Sequence, residues 1–465
     1  MAELWEHSAL ELAAKIRERE VTSRAVVEAH LARIDAVNGH LNAIVRRLDD
    51  EALAAADAAD AAADRGDALG PFHGVPMTVK ENVDLAGFPT TQGVPALADA
   101  IATADAPAVE RLKAAGAIPI GRTNLPDFGL RVSTDSSLHG LTRNPHHPAR
   151  TAGGSSGGEA SAIASGMSPF GIGNDIGGSL RNPAHCCGIA SIKPSVGVVP
   201  HASTLPPIVK SLSVQQMAVE ATMARTVADV RASFELIVGP DPRDHSCVPA
   251  QLTDLAGGES LRVAVLAEPP GGKTDPEIAA AIRAAGDVLA DAGHEVVEAT
   301  PPMYEETIDL WSGLLAQDLA VEYPALGGLM GPDATAIIEG LLDISPEITA
   351  EFVYMVQAGR SAAMTAWSEF FAEHPVMLSP TWALPAFEHG ADLGDTTDLI
   401  RDTLRPVTPI NLLGLPAAVV PFGTADGLPV GVQVIGDRFT DLRCLSIAAQ
   451  IEAAREPTSP IDPVT

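Results

Sequence analysis

The chain contains two glycine-rich runs, Thr151-Ala-Gly-Gly-Ser155-Ser156-Gly-Gly-Glu159 and Gly173-Asn-Asp-Ile-Gly-Gly-Ser179-Leu-Arg-Asn-Pro183, and each run includes a serine. A lysine lies upstream in a third motif, Gly74-Val-Pro-Met-Thr-Val-Lys80-Glu-Asn82. A serine nucleophile requires a proton acceptor, an orienting group and backbone amides that face the developing oxyanion. Glycines before Ser179 leave main-chain N–H groups accessible. The three motifs together predict a hydrolase that forms an acyl-enzyme intermediate.

These motifs resemble those of the amidase signature family of serine hydrolases. The likeness covers most of residues 65–230 and returns in residues 376–452. The later part includes Leu378-Ser-Pro-Thr381, Asn411-Leu-Leu-Gly-Leu-Pro416 and Gly427-Leu-Pro-Val-Gly-Val-Gln433. The resemblance implies an α/β fold of a single domain, with a central mixed β-sheet wrapped by helices.

The resemblance also implies roles for individual residues. In a catalytic triad of the Ser–cis-Ser–Lys type, Ser179 is similar to the nucleophile, Ser155 to the cis-serine and Lys80 to the base. The corresponding oxyanion hole consists of the backbone N–H groups of Ile176, Gly177, Gly178 and Ser179. The sequence departs from the family pattern at Asn174, where threonine is common.

Three polar residues beside these motifs are expected to support the centre. Asp175 and Arg181 flank the oxyanion loop and are expected to hold it in place, and Ser156 adjoins Ser155. The alternative for the charged pair is an ordinary surface ion pair, which contributes only ~0–1 kcal/mol.

Lys80 differs in setting from a typical solvated lysine. It ends an apolar, strand-like run at Val75–Val79, so we expect its ammonium group to be buried. Burial without a nearby anion lowers a lysine pKa, and a lysine with a lowered pKa can act as a base near neutral pH. Glu81 and Asp84 could instead keep it charged, although strand alternation directs Glu81 to the opposite face.

Composition limits the classes of partner. The formal net charge is −30, from 30 Lys and Arg against 60 Asp and Glu, which argues against nucleic acids and anionic membrane surfaces. The four cysteines show no C-x-x-C spacing, and no motif implies a metal or an organic cofactor. No signal peptide or apolar run long enough to span a membrane is visible, so we expect a cytoplasmic protein. A homodimer is an expectation from the family resemblance alone.

The chain alternates β-branched runs with amphipathic helical segments, which favours α/β layers. We interpret residues 1–465 as one domain. Within it we predict N-terminal helices at 1–64, a catalytic core at 65–230, a variable substrate-pocket region at 300–377 and a frayed tail at 456–465.

One competing motif overlaps the first glycine-rich run. Gly153-Gly-Ser155-Ser-Gly157 also fits G-x-S-x-G, the nucleophile elbow of α/β-hydrolases. That elbow must follow a hydrophobic strand, whereas the preceding run, Asn144-Pro-His-His-Pro-Ala-Arg150, contains two prolines and cannot be a central strand. We therefore reject the elbow.

Substrate choice is predicted from the distribution of aromatic residues, because ten of the 18 lie between positions 304 and 387. Any single one is more often a core residue, but their density favours an aromatic-lined pocket. The candidate pocket residues are Trp311, Tyr323, Tyr354, Trp367 and Trp382. We expect a small-molecule substrate: a neutral, hydrophobic or aryl carboxylic amide, with esters as a side reaction. Carbamates are the alternative substrate class, and the alternative kind of protein is a component of an amidotransferase.

Overall fold

The computed structural model of the protein describes residues 3–205 and 210–465. Residues 1–2 of the predicted N-terminal segment and residues 206–209 of the predicted core lie outside the described part. Helices cover both faces of an 11-stranded mixed sheet, which confirms the predicted α/β fold.

The strands of the described residues form one large sheet and two small hairpins. In chain order they are β1 (Ile44–Arg47), β2 (Pro76–Lys80), β3 (Ile118–Thr123), β4 (Asp135–Ser136), β5 (Gly140–Leu141), β6 (Arg143–Asn144), β7 (His147–Thr151), β8 (Phe170–Asp175), β9 (Ala190–Lys193), β10 (Val219–Ala224), β11 (Arg262–Val265), β12 (Glu295–Glu298), β13 (Val376–Pro380), β14 (Ala417–Ala425) and β15 (Leu428–Gly436). The spatial order of the large sheet is β1-β3-β2-β8-β10-β9-β14-β15-β13-β11-β12.

The α-helices pack on this sheet and above one of its edges. They are α1 (Ala9–Arg17), α2 (Ser23–Leu41), α3 (Asp49–Arg65), α4 (Pro107–Ala114), α5 (Gly157–Ala164), α6 (Arg181–Cys187), α7 (Leu212–Met217), α8 (Val227–Ile237), α9 (Pro276–Asp291), α10 (Tyr304–Leu326), α11 (Pro332–Ile344), α12 (Ala350–Glu373), α13 (Thr396–Asp398), α14 (Thr408–Leu412) and α15 (Asp441–Ala453). A wider π-helical turn, Leu399–Leu404, continues α13.

Local sequence signals account for the N-terminal helices. The Ser8 hydroxyl accepts a hydrogen bond from the amide of Glu11, and the Glu11 carboxylate accepts the Ser8 amide, which together form a capping box at α1. The Thr22 hydroxyl likewise accepts a backbone amide at the start of α2. The short strand β1 was not predicted, because its pairing partner β3 is distant in sequence.

The sheet brings the sequence motifs to one edge. Strands β2 and β8 are parallel neighbours, so their carboxyl ends meet at the same edge of the sheet. Lys80 is the last residue of β2, and the oxyanion loop begins directly after Asp175 at the end of β8. Helix α5 starts just after Ser156 and packs against β8 and β2.

A second apolar cluster packs on strands β11, β13, β14 and β15 and is separate from the larger core. It joins α10, α11 and α12 to β13 and α14, and it includes Trp311, Trp367, Met377 and Ile410. Part of the predicted substrate-pocket region at 300–377 therefore packs against Ile176, which directly follows β8.

The C-terminal tail, predicted to be frayed, contacts residues that are distant in sequence. Residues 456–465 have no helix or strand, but the amide of Ile461 donates to the carbonyl of Ala164 at 3.0 Å. The guanidinium group of Arg33 donates to the Asp462 carboxylate at 2.7 Å and to the Ile461 carbonyl at 3.0 Å. Three prolines disfavour regular structure here, and these contacts connect the tail to α2 and α5.

Within residues 3–205 and 210–465, no helix combines the length and the apolar character needed to cross a bilayer.

The close approach of α5 to the sheet requires glycine at position 171. A Cβ atom there would lie 1.8 Å from Glu159 Oε1 and 2.6 Å from Thr78 Oγ1. We expect Gly171→Ala to lower the free energy of unfolding by about 1–3 kcal/mol, since overpacking forces neighbours to shift. Urea denaturation measures the change.

Gly39→Ala is the matched control, because a Cβ at this exposed position in α2 meets nothing within 4 Å. It should stabilise the protein by up to about 1 kcal/mol through helix propensity. An equal loss of stability in both variants would contradict the packing argument.

Candidate active site

Lys80 is enclosed by oxygen atoms that carry no formal charge. Its Nζ atom lies 2.7 Å from Ser155 Oγ, 2.9 Å from Ser156 Oγ and 2.7 Å from Asn174 Oδ1, and the side chain is fully buried. The structure thus brings Lys80 together with two of the serines selected from the sequence.

The charge state of Lys80 follows from this setting. Burial of the ammonium group lowers the pKa of Lys80 to about 7, although the carboxylates of Asp175, Glu159 and Glu220 act in the opposite direction. Glu81 and Asp84, the two acids that could have kept the lysine charged, hydrogen-bond elsewhere. Their partners are Thr90, Thr91, His139, Ser203 and Thr204.

The loop that carries Ser155 is fixed by close backbone packing. The peptide bond between Gly154 and Ser155 is cis. A Cβ atom at Gly154 would lie 2.5 Å from the carbonyl carbon of Val132 and 2.8 Å from the amide nitrogen of Ser133. Only glycine allows the two backbones to approach so closely, so residues 131–133 define the position of the loop.

Glu159 anchors the start of α5 behind the serines. Its carboxylate accepts hydrogen bonds from the hydroxyls of Thr78 and Thr123, the latter at 2.7 Å. Burial raises the pKa of Glu159 to about 7, and these hydrogen bonds oppose the rise. This role of Glu159 was not predicted from the sequence.

The oxyanion loop departs in one respect from the expectation of four available amides. The Gly178 amide donates to Asp175 Oδ1 at 2.7 Å, so it is already occupied. The backbone N–H groups of Ile176, Gly177 and Ser179 have no hydrogen-bond partner in the described part of the chain. Gly178 has a φ of 101°, which favours glycine at this position and turns the chain toward Ser179.

Asp175 and Arg181 form a buried bidentate ion pair. Arg181 Nε lies 3.0 Å from Asp175 Oδ2, Arg181 Nη2 lies 3.1 Å from Asp175 Oδ1, and neither side chain is exposed. Asn411 and Gln433 complete the polar shell. Burial alone would raise the pKa of Asp175, but the Arg181 charge holds it well below the usual range. The pair is therefore not an ordinary surface ion pair.

Two asparagines extend the site beyond the residues selected from the sequence. Asn174 accepts from Lys80, and its Nδ2 donates to Asn82 Oδ1 at 2.9 Å. The sequence did point to position 174, because asparagine stands there where threonine is common in the family. The role of Asn82 depends on the pairing of β2 with β8, which local sequence does not reveal.

Two adjoining cavities open at this centre. A larger cavity of about 210 Å³ has a mixed wall, which includes the polar side chains of Ser155, Ser179, Asn82 and Asn174. A smaller apolar cavity of about 80 Å³ also reaches Ser179. The apolar residues around the smaller cavity are Leu130, Val132, Ile176, Trp311, Leu315, Ile337, Ile338, Leu341, Leu399, Ile400 and Leu404. Ser179 therefore lies between a larger cavity of mixed polarity and a smaller apolar one.

Comparison with known proteins identifies the family. The Amidase family model matches residues 25–445. The chain belongs to the Amidase family. As a member of this family, it is an amide-cleaving hydrolase.

Three relatives illustrate the range of similarity to this amidase. An indoleacetamide hydrolase of Bradyrhizobium diazoefficiens is 40% identical, over 97% of this chain and 86% of the relative. A component of the glutamyl-tRNA(Gln) amidotransferase of Salinispora arenicola is 32% identical, over 99% of both chains. The crystal structure of a bacterial aryl acylamidase of the amidase signature family matches with a TM-score of 0.87 and 27% identity, over 98% of each chain.

The five aromatic residues selected for the substrate pocket lie in different places. Trp311 lines the apolar cavity, and its Nε1 donates to the Ile176 carbonyl at 3.0 Å. Trp367 and Trp382 are fully buried in core clusters, where each packs against other aromatic rings. Tyr354 is 69% exposed, and Tyr323 hydrogen-bonds Glu339 on α11.

Trp311 alone of these five thus remains a pocket candidate. The segment 396–404, which contributes Leu399, Ile400 and Leu404 to the cavity wall, lies outside the region predicted at 300–377. Within the described ranges, His, Cys, Asp and Glu side chains form no group of three suited to a metal ion.

The protonation of Lys80 can be measured directly, because the chain has only six lysines. In protein labelled with ¹³C-lysine, Lys80 should titrate with a pKa of about 7. Asn174→Asp places a carboxylate beside Nζ and should raise that pKa by about 1–3 pH units. Lys80→Ala identifies the resonance.

Lys193 provides an internal control in the same spectra. Burial also lowers the pKa of Lys193 to about 7, but its Nζ binds the carbonyls of Pro194 and Leu415 rather than Asn174. Its titration should not change in Asn174→Asp. A wild-type Lys80 that stays protonated up to about pH 10, as a solvated lysine does, would contradict the assignment of a neutral amine.

Proposed function

We propose that this amidase hydrolyses neutral, hydrophobic or aryl carboxylic amides through an acyl-enzyme intermediate on Ser179. Ser155 relays protons and Lys80 is the base. The observation that carries the proposal is the 2.7 Å contact between Lys80 Nζ and Ser155 Oγ, in a buried site whose cavity also includes Ser179.

Acylation begins with two proton transfers. Neutral Lys80 accepts the proton of Ser155 Oγ, and Ser155 accepts the proton of Ser179 Oγ. Ser179 Oγ attacks the carbonyl carbon, and the carbonyl oxygen becomes an oxyanion. The amides of Ile176, Gly177 and Ser179 supply hydrogen bonds to it, because no other group in the described part of the chain occupies them.

Collapse of the tetrahedral intermediate requires a protonated leaving group. The proton on Lys80 returns through Ser155 to the substrate nitrogen, the C–N bond breaks and the amine departs. Water then attacks the acyl-enzyme with the same proton route, and the carboxylic acid is released. Since amines are poor leaving groups, this protonation matters more for amides than for esters.

The nature of the cavities supports the substrate class. The apolar cavity beside Ser179 suits a hydrophobic or aryl acyl group. Arg131 is the charged residue in its wall, and aspartate partners already neutralise it. The relatives named for indoleacetamide hydrolysis and aryl acylamidase activity act on substrates of this chemical kind.

The amidotransferase component of Salinispora arenicola gives a second candidate, because the similarity extends over 99% of each chain. That role requires partner proteins, whereas a stand-alone amidase does not. Hydrolysis of an aryl amide by the purified chain alone would separate the two candidates.

Substitution of the proposed nucleophile and base tests the mechanism. Ser179→Ala should reduce amidase kcat/KM by about 10⁴-fold or more, because the acyl-enzyme cannot form. Lys80→Ala should reduce amide hydrolysis by about 10²–10⁴-fold and the matched ester less, because it removes the proton-transfer group. Steady-state kinetics on an aryl amide and an aryl ester with the same acyl group measure both effects.

Ser165→Ala is a suitable control for these variants. Ser165 is also buried, but its hydroxyl bonds only backbone carbonyls at the end of α5. It should retain activity. Equal losses of amide and ester hydrolysis in Lys80→Ala would refute proton delivery to the leaving nitrogen, and an aryl carbamate in the same panel tests the alternative substrate class.

A further inference from the structure

Arg131 lies at the centre of an unusual group of charges beside the apolar cavity. Its Nε is 2.6 Å from Asp392 Oδ2, and its Nη2 is 3.1 Å from Asp392 Oδ1. Its Nη1 is 2.8 Å from Asp333 Oδ2 and 3.8 Å from an oxygen of Asp135. Arg131 is 5% exposed and Asp392 is 1% exposed, so this ion pair is shielded from solvent.

The two closest aspartates belong to the outer wall of the cavity. Asp333 is in the first turn of α11, which contributes Ile337, Ile338 and Leu341. Asp392 shortly precedes the segment 396–404, which contributes Leu399, Ile400 and Leu404. Arg131 therefore binds both parts of the wall at once.

The two wall segments also contact one another closely. A Cβ atom at Gly340 in α11 would lie 2.2 Å from Thr396 Oγ1. The start of α11 has a further anchor, because the Gly331 amide donates to Asp127 Oδ2 at 2.7 Å. The wall thus packs as a unit and is attached to residues 127–131 at its inner end.

The backbone of Arg131 has a second set of contacts, on the catalytic side. Residues 131–133 pack against Gly154, the residue before Ser155. The preceding residues, Gly129 and Leu130, line both the larger mixed cavity and the apolar cavity. Arg131 therefore connects the cavity wall to the loop that carries Ser155.

We propose that Arg131 is a specificity-determining positioning residue, which holds α11 and the segment 391–404 where they enclose an apolar acyl group beside Ser179. This inference rests on the proposed function for its substrate. Arginine suits the task, because its planar guanidinium group binds one carboxylate with two donors and a second carboxylate with a third.

The sharpest test removes the outer partner and leaves the buried pair intact. Asp333→Ala frees α11 from Arg131, and it alters neither a residue in contact with Lys80 nor one at the oxyanion loop. With phenylacetyl p-nitroanilide, KM should rise about fivefold while kcat is unchanged, since loss of a partly exposed ion pair has about this effect on an equilibrium. With acetyl p-nitroanilide, neither parameter should change.

Asp57→Ala is the matched control. Asp57 in α3 pairs with Arg24 of α2 at 2.7 Å, in another partly exposed ion pair, and neither residue lines the cavities beside Ser179. The kinetics of this variant should equal those of wild type for both substrates. Equal changes for the two substrates in Asp333→Ala, or the same selective change in Asp57→Ala, would overturn the proposal.

Arg131→Lys keeps the charge and removes the two-donor geometry, so its selective loss should exceed that of Asp333→Ala. If this variant fails to fold, Asp333→Ala still decides the question. Calorimetric titration with 2-phenylethanol, compared with ethanol, provides a readout that needs no turnover. Weaker binding of the aryl alcohol in Asp333→Ala, with no hydrolysis by wild type, would uphold the positioning role and reject the proposed function. Unchanged binding would overturn the positioning role itself.

Discussion

The site depends on an amine that is buried without a carboxylate in direct contact. Removal of Lys80 from water favours its neutral form, and three neutral oxygen atoms hold Nζ in place. The negative charges of two nearby acids are limited in different ways. Asp175 remains ionised but shares its charge with Arg181, whereas burial raises the pKa of Glu159 to about 7. The surrounding polar residues thus hold Nζ without placing an ionised carboxylate in contact with it.

Several residues of the candidate site could be selected from the sequence. Lys80, Ser155 and Ser179 stand in short motifs whose glycines are required by local backbone geometry, and such requirements are visible without a structure. The apolar run before Lys80 also indicated its burial correctly. The parallel pairing of β2 with β8, which places these motifs at one edge, was not predicted, because no single motif encodes it.

Other features could not be predicted, because they depend on contacts between distant segments. The asparagine pair at positions 82 and 174 meets only across two strands. The orientation of the Gly178 amide toward Asp175 depends on one peptide plane. The aromatic residues show the limit most clearly: composition located their cluster, but Trp367 is in the core and Tyr354 faces solvent. Helical periodicity over such a mixed segment does not say which face meets the site.

The two ends of the described chain meet at one side chain. The Arg33 guanidinium group stacks over the Trp5 ring at 4.0 Å and also binds Asp462, which draws the tail against the first helical turn. Because residues 5 and 462 contact the same side chain, a short linker between these two segments would suit a circular permutation. New termini could then open at an exposed turn such as Gly257–Gly258, far along the chain from the catalytic motifs. Such a permutation would leave Lys80, Ser155 and Ser179 within one unbroken stretch of chain.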